Sequence, residues 1–149
     1  MVDVSRTLTV RTPPPTVLDY LKDFANAESW DPGTVSCTQS TEGPVAVGTE
    51  WRNVSQFRGR ETTLTYRLER IEDDRLVFVG RNKTATSTDT ISLAALDGGG
   101  TSVTYRAHVV FHGIARLADP FMKKEFDRLG DELIGTMTVA LEKLDGGGG

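Results

Sequence analysis

The residue with the sharpest chemical signal is Asp89. It shares its parity with Ile91, Leu93 and Ala95 in an alternating stretch. A carboxylate on an apolar face is costly unless paired or hydrogen-bonded, and burial raises its pKa. Two readings compete. Asp89 is a general acid/base or a ligand anchor, assisted by the hydroxyl of Tyr66 or Tyr105. Alternatively it is a structural aspartate near a strand end, bonded to backbone or to an arginine. The structural reading is preferred, because structural networks also perturb pKa values.

Asn53, Ser55, Tyr66 and Tyr105 stand in the same relation to large apolar neighbours on alternating segments. A cavity with a few convergent polar groups is the usual form of a small-molecule site. These residues and Asp89 are therefore the candidate polar lining. Trp51 is expected to line the cavity or close its end. For Tyr66 and Tyr105, ordinary core filling with a satisfied hydroxyl weighs equally with ligand contact.

Other chemistries find less support. His108 and His112 are the only histidines. Four strand residues apart, they stand about 13 Å from each other at about 3.3 Å per residue. They cannot share a metal ion, and they lie opposite Tyr105 in parity, so they read as solvent-facing. No metal site and no cofactor are expected. Cys37 is the only cysteine, lacks an adjacent base and excludes an intrachain disulfide. No Gly-x-Ser-x-Gly elbow occurs, and Gly98 to Gly100 sit in a hairpin rather than a phosphate loop.

Composition narrows the class further. A hydrophobic share of 38% and a charged share of 26% suit a globular domain. A net charge of −4 argues against nucleic acid as partner. Arg52, Arg58 and Arg60 read as solvated surface rather than an anionic-headgroup site. No apolar run reaches the roughly 18 residues of a membrane span. The N-terminus lacks the basic and apolar regions of an export signal. A cytoplasmic location is expected.

The elements that must position the candidates begin with a strand at Val4 to Val10, ended by Pro13-Pro14-Pro15. Two short helical segments follow, Thr16 to Phe24 and one around Trp30. From Thr34 to Phe111 the pattern has period two and reads as about six strands joined by tight turns. Asp97-Gly98-Gly99-Gly100 is the strongest turn signal. The last segment, Asp119 to Leu144, is helical. Asp119 can N-cap it, Pro120 fits its first turn, and Met122, Phe126, Leu129, Leu133, Met137, Ala140 and Leu144 form a stripe widened by Ile134 and Leu141. At about 1.5 Å per residue this helix is about 40 Å long. A one-sided antiparallel sheet needs its apolar face covered, and this helix has the matching stripe. The expected fold is α+β: a curved antiparallel sheet of about seven strands wrapped around a long C-terminal helix, with two short helices after the first strand. Residues 1–145 form one domain, and Gly146 to Gly149 a flexible tail. Two glycines interrupt the helix, each at a cost of about 1 kcal/mol relative to alanine. Gly130 is expected to border the pocket or a close strand crossing, beside Phe126 and Leu133, which complete the candidate ligand-binding set. Gly135 reads as a tolerated surface glycine.

This order, with the segment Phe24-Ala25-Asn26-Ala27-Glu28-Ser29-Trp30-Asp31-Pro32-Gly33, resembles the helix-grip proteins of the START and Bet v 1 type. Gly48-Thr49-Glu50-Trp51, Asp89-Thr90-Ile91, Gly99 to Tyr105 and Leu117-Ala118-Asp119-Pro120 extend the likeness over nearly the whole chain. It looks most like the bacterial SRPBCC branch labelled polyketide cyclase/dehydrase. The resemblance implies a cavity between sheet and long helix that takes apolar molecules such as lipids, sterols or polyketides. It brings no shared catalytic motif. The preferred function is binding or transport of a hydrophobic or amphipathic small molecule, by a monomer or weak homodimer. The first alternative is a cyclase or dehydratase using Asp89 with Tyr66 or Tyr105. The second is a ligand-free regulatory or interaction module.

Overall fold

The computed structural model describes residues 1–57 and 59–147, with the side chains of residues 119 and 145–147 outside the description. Arg58, the expected N-cap of Asp119, and Gly148 and Gly149 of the expected tail therefore lie outside the described residues.

The chain opens with β1 (Val2–Val10), then α1 (Pro14–Leu21), a 3-10 turn (Phe24–Asn26) and α2 (Ala27–Trp30). Six strands follow: β2 (Thr34–Gln39), β3 (Glu50–Phe57), β4 (Arg60–Glu72), β5 (Arg75–Arg81), β6 (Ala85–Ala95) and β7 (Thr101–Phe111). A second 3-10 segment (Gly113–Ala118) leads into α3 (Asp119–Gly147). The helix thus runs two residues into the segment expected as a tail.

All seven strands pair antiparallel in the order β1-β7-β6-β5-β4-β3-β2. The one long return in this order brings β1 beside β7, so the first strand and the two before the last helix share one side of the sheet. The register of β4 shifts between Leu68 and Arg70. Such bulges bend a strand and increase its twist, which helps the sheet curve. Period-two burial is clean on β6 and β7, where Ser87, Asp89, Ile91 and Leu93 face the interior with Val103, Tyr105, Ala107 and Val109.

Two kinds of interior result. At one end, under α1 and α2, the space is filled. Trp30, Trp51, Phe24 and Phe78 are fully buried there, with Phe24 and Phe78 ring centroids 4.6 Å apart and Trp51 and Phe78 5.8 Å apart. The C-terminal half of α3 joins this packing through Met137, Ala140 and Leu141. Ile134 does not. It is 38% exposed, because one residue past buried Leu133 turns it about 100° away from the sheet.

Hydroxyls tie α3 to the chain start. Thr136 Oγ1 donates to the Trp30 carbonyl at 2.7 Å, and buried Thr12 donates to the Leu141 carbonyl at 2.6 Å. Further along, α3 presses on β1 at Gly130. A methyl group there would stand 2.7 Å from Val4 Cγ1. Arg6 secures the crossing, with Nε donating to Asp131 Oδ1 at 3.0 Å and Nη2 to the Asp127 carbonyl at 3.1 Å. No helix among the described residues is long and apolar enough to cross a membrane.

Candidate functional site

At the other end α3 rests on β1 at Gly130 but stands off the middle of the sheet. Between them lies a cavity of about 590 Å³. Met122, Phe126, Leu129, Gly130 and Leu133 supply its α3 wall. The N-terminal half of α3 thus lines space while its C-terminal half packs core. The exposed residues Arg60, Glu61 and Thr84 mark the cavity's mouth, and buried Tyr66, Asp89 and Tyr105 its depth. The rings of Phe57 on β3 and Phe126 on α3 stand 5.1 Å apart beside the mouth.

The polar depth is built around Asp89, which is 3% exposed. Ser87, two residues earlier on β6 and so on the same face, donates to Asp89 Oδ1 at 2.6 Å. Tyr105 on β7 donates to Oδ2 at 2.7 Å. Tyr66 on β4 stands farther off, 3.4 and 3.5 Å from the two oxygens. Asp89 sits in the middle of β6, and hydroxyls hold it. The expected structural partners, backbone or arginine at a strand end, are not what the fold supplies.

Burial is the largest influence on the Asp89 carboxyl and pushes its pKa up to about 6, against the lowering effect of the Ser87 and Tyr105 hydroxyls. The same burial, reinforced by the Asp89 charge, holds the Tyr66 and Tyr105 phenols well above their ordinary value. Both tyrosines therefore remain proton donors throughout the physiological range. Asp31 also lines the cavity, from the turn after α2, and burial pushes its carboxyl up. Its oxygens accept from the Gly33 N–H at 3.1 Å and the Thr34 hydroxyl at 2.8 Å.

Of the expected lining residues, Ser55, Tyr66, Asp89, Tyr105, Phe126, Gly130 and Leu133 border the cavity. Trp51 and Asn53 do not. Trp51 has the right parity but stands at the packed end, its Nε1 donating to Asp23 Oδ1 at 3.2 Å. Asn53 is consumed by neighbours: it accepts from Ser55 Oγ at 2.5 Å and donates to Thr34 Oγ1 at 3.2 Å. Parity alone cannot separate the filled end of a sheet face from its hollow end. Asp31 and Ser87 were not among the expected residues. Ser87 has the parity of Asp89 and could have been found by extending that pattern two residues back, whereas Asp31 enters from a turn that no periodicity describes.

The histidines face outward. His108 Nδ1 lies 2.8 Å from Asp3 Oδ1, and His112 Nε2 lies 2.8 Å from Thr86 Oγ1. Cys37 is buried at 2% exposure, and its thiol is pushed up to about 12, chiefly by burial.

Residues 1–142 match the family described as polyketide cyclase / dehydrase and lipid transport. Among solved structures, the Zhui aromatase/cyclase from Streptomyces sp. R1128 superposes with a TM-score of 0.79 at 16% identity, over 95% of this chain and 93% of that one. A START superfamily protein from Mycobacterium smegmatis superposes with a TM-score of 0.78 at 16% identity, over 95% and 98%. At such identities the likeness is one of fold, and it bears out the expected helix-grip architecture. No curated protein matches the sequence.

Proposed function

The chain belongs to the polyketide cyclase / dehydrase and lipid transport family, and from that premise we propose that it binds a hydrophobic or amphipathic small molecule between sheet and α3. The observation that supports this most is the cavity itself. Its volume of about 590 Å³ falls in the range of about 300–1,000 Å³ typical of small-molecule sites. Its walls are mostly aliphatic and aromatic, with Ser87, Asp89, Tyr66 and Tyr105 gathered at the buried end and the charged residues Arg60 and Glu61 at the mouth. Native mass spectrometry and thermal-shift measurements against fatty acids, sterols and aromatic polyketides test the reading. A bound species in the wild type, lost in Ala107→Phe, is the expected result. Ala107 lies directly across from Asp89 on β7, so the larger ring fills the depth of the cavity. Absence of any bound species in the wild type would count against it.

One observation favours a second reading, a dehydratase or cyclase. A carboxyl that burial raises to about 6 stands at the end of the same cavity, held by the Tyr105 phenol at 2.7 Å and with the Tyr66 phenol 3.4 Å away. A general base is most effective when its pKa lies near the working pH. In a dehydration, ionised Asp89 would take a proton from carbon while Tyr66 gives its own to the departing hydroxyl. Water leaves, and the proton on Asp89 returns to the Tyr66 phenolate. Turnover of a β-hydroxy ketone that disappears in both Asp89→Asn and Tyr66→Phe would establish this chemistry. Turnover that survives Asp89→Asn would end it.

A further inference from the structure

The polar end of the cavity has an unbalanced charge. Asp89 and Asp31 both line it, and each is recessed enough for burial to raise its pKa. Among the described lining residues Arg60 is the one cation. It is exposed at the mouth, six residues along β4 from Tyr66, about 20 Å at about 3.3 Å per residue. Buried carboxylates ordinarily stand beside a cation or are satisfied by several hydrogen bonds. Asp89 has two short donors, Ser87 and Tyr105, and Tyr66 at longer range. A carboxylate offers about four acceptor positions, so capacity remains on the side that faces the cavity.

We propose that the molecule taken by this cavity bears a protonated amine on an apolar body, with the ammonium seated against the Asp89 carboxylate. The inference rests on the binding reading above and deepens it. The ammonium supplies both the missing positive charge and the missing donors. Asp31 adds a second negative charge on the same side. Leu64, Ala107, Val109, Phe126 and Leu133 then take the apolar body. A carboxylate ligand meets like charge at the same place, and such repulsion is an effective means of rejecting a competitor. A neutral alcohol can donate to Asp89 but brings no charge.

The test is calorimetric titration of the full chain at pH 7.5 with three probes of equal length: n-decylamine, n-decanol and n-decanoate. Decylamine is expected to bind at least about tenfold more tightly than decanol, the scale of a hydrogen bond to a charged group, with decanoate weakest. Decanol binding as tightly as decylamine would overturn the amine assignment while leaving the cavity reading intact. No binding by any of the three would overturn both. Asp89→Asn is expected to bring the preference for decylamine over decanol close to one, and a tenfold preference kept in the variant would overturn the role of the carboxylate.

Should that variant fail to fold, the wild type at pH 5 serves instead. There Asp89 is largely protonated while decylamine keeps its charge. Tyr66 from β4 and Tyr105 from β7, which face Asp89, do not titrate in this range. Asp31 titrates in the same sense, Arg60 and Glu61 stand at the mouth, and the α3 wall is uncharged. The preference for amine over alcohol is expected to fall at least about threefold from pH 7.5 to pH 5. A preference that does not change would overturn the role of the buried carboxylate.

Discussion

The ring of Tyr66 occupies the space that a side chain at residue 80 would need. Gly80 stands directly across from Tyr66 on β5, and a methyl group there would lie 2.6 Å from Tyr66 Cε2 and Cζ. The missing side chain lets the ring lie over the β5 backbone, and from there the phenol reaches toward Asp89. Gly80→Ala is therefore expected to destabilise by about 1–3 kcal/mol, the range of overpacking in a filled interior. Chemical denaturation measures it. A neutral or stabilising effect would mean that the ring has an alternative seat.

The raised pKa of Asp89 is a statement about stability. Its carboxyl moves from an ordinary 3.8 to about 6 in the folded state. Between these values the folded protein binds more protons than the unfolded chain, so unfolding free energy falls as pH rises. The stabilisation is fully present below about 3.8 and lost as pH passes through about 6. At about 1.4 kcal/mol per pH unit its size is on the order of 3 kcal/mol. Other carboxylates titrate in the same range, so the difference between wild type and Asp89→Asn isolates the contribution. Relative to the variant, wild type is expected to lose stability from pH 4 to pH 7. A constant difference across that span would show that Asp89 titrates normally.

Most of this fold was legible because alternation survives on β1, β4, β6 and β7. Ile91, Leu93, Val103 and Tyr105 named the inner face of β6 and β7 correctly, and the stripe from Phe126 to Leu141 named the face of α3. The site was legible where polar residues interrupt that same parity: Asp89, Tyr66, Tyr105 and Ser55. What failed was depth along the sheet. Trp51 shares the inner face but stands under Phe24 and Phe78 rather than beside empty space. Its fate depends on where α1 and α2 fold back, which a strand pattern does not record. The same holds for Asp31, which a turn delivers to the cavity, and for Gly80, whose role exists only once Tyr66 is placed across from it. Ile134, expected to widen the stripe, is turned toward water by the helical angle.

The two glycines of α3 are expected to respond in opposite directions. Nothing lies within 4 Å of where a Gly135 side chain would begin, so alanine there is expected to stabilise by up to about 1 kcal/mol, the difference in helix propensity. At Gly130 the same gain is set against Val4 Cγ1 at 2.7 Å and Arg6 Nε at 3.3 Å. Val4 is β-branched and held in a strand, so it yields poorly. Gly130→Ala is expected to be less stable than Gly135→Ala by more than about 1 kcal/mol. Thermal melts of the two variants decide it. Equal gains would mean that α3 shifts away from β1 without cost.

The hydroxyls around Asp89 set how far its carboxyl is raised. Burial, with a smaller push from the Asp31 charge, moves the value up, and the Ser87 and Tyr105 bonds pull it back toward the ionised form. Removing either donor must therefore raise the pKa further above 6, because each hydrogen bond favours the charged carboxylate. Ser87→Ala removes the donor at 2.6 Å and adds no bulk, and Tyr105→Phe removes the donor at 2.7 Å and keeps the ring. Tyr66→Phe removes a partner no closer than 3.4 Å and is expected to move the value least. Carboxyl carbon chemical shifts followed by NMR from pH 4 to pH 9 read the midpoint directly. The expected order of midpoints is wild type near 6, Tyr66→Phe slightly above it, and Ser87→Ala and Tyr105→Phe highest. Were Ser87→Ala and Tyr105→Phe to titrate with the wild-type midpoint, the charge on Asp89 would have to be held by water entering the cavity, and the hydroxyls would be fillers of the interior rather than its electrostatic support.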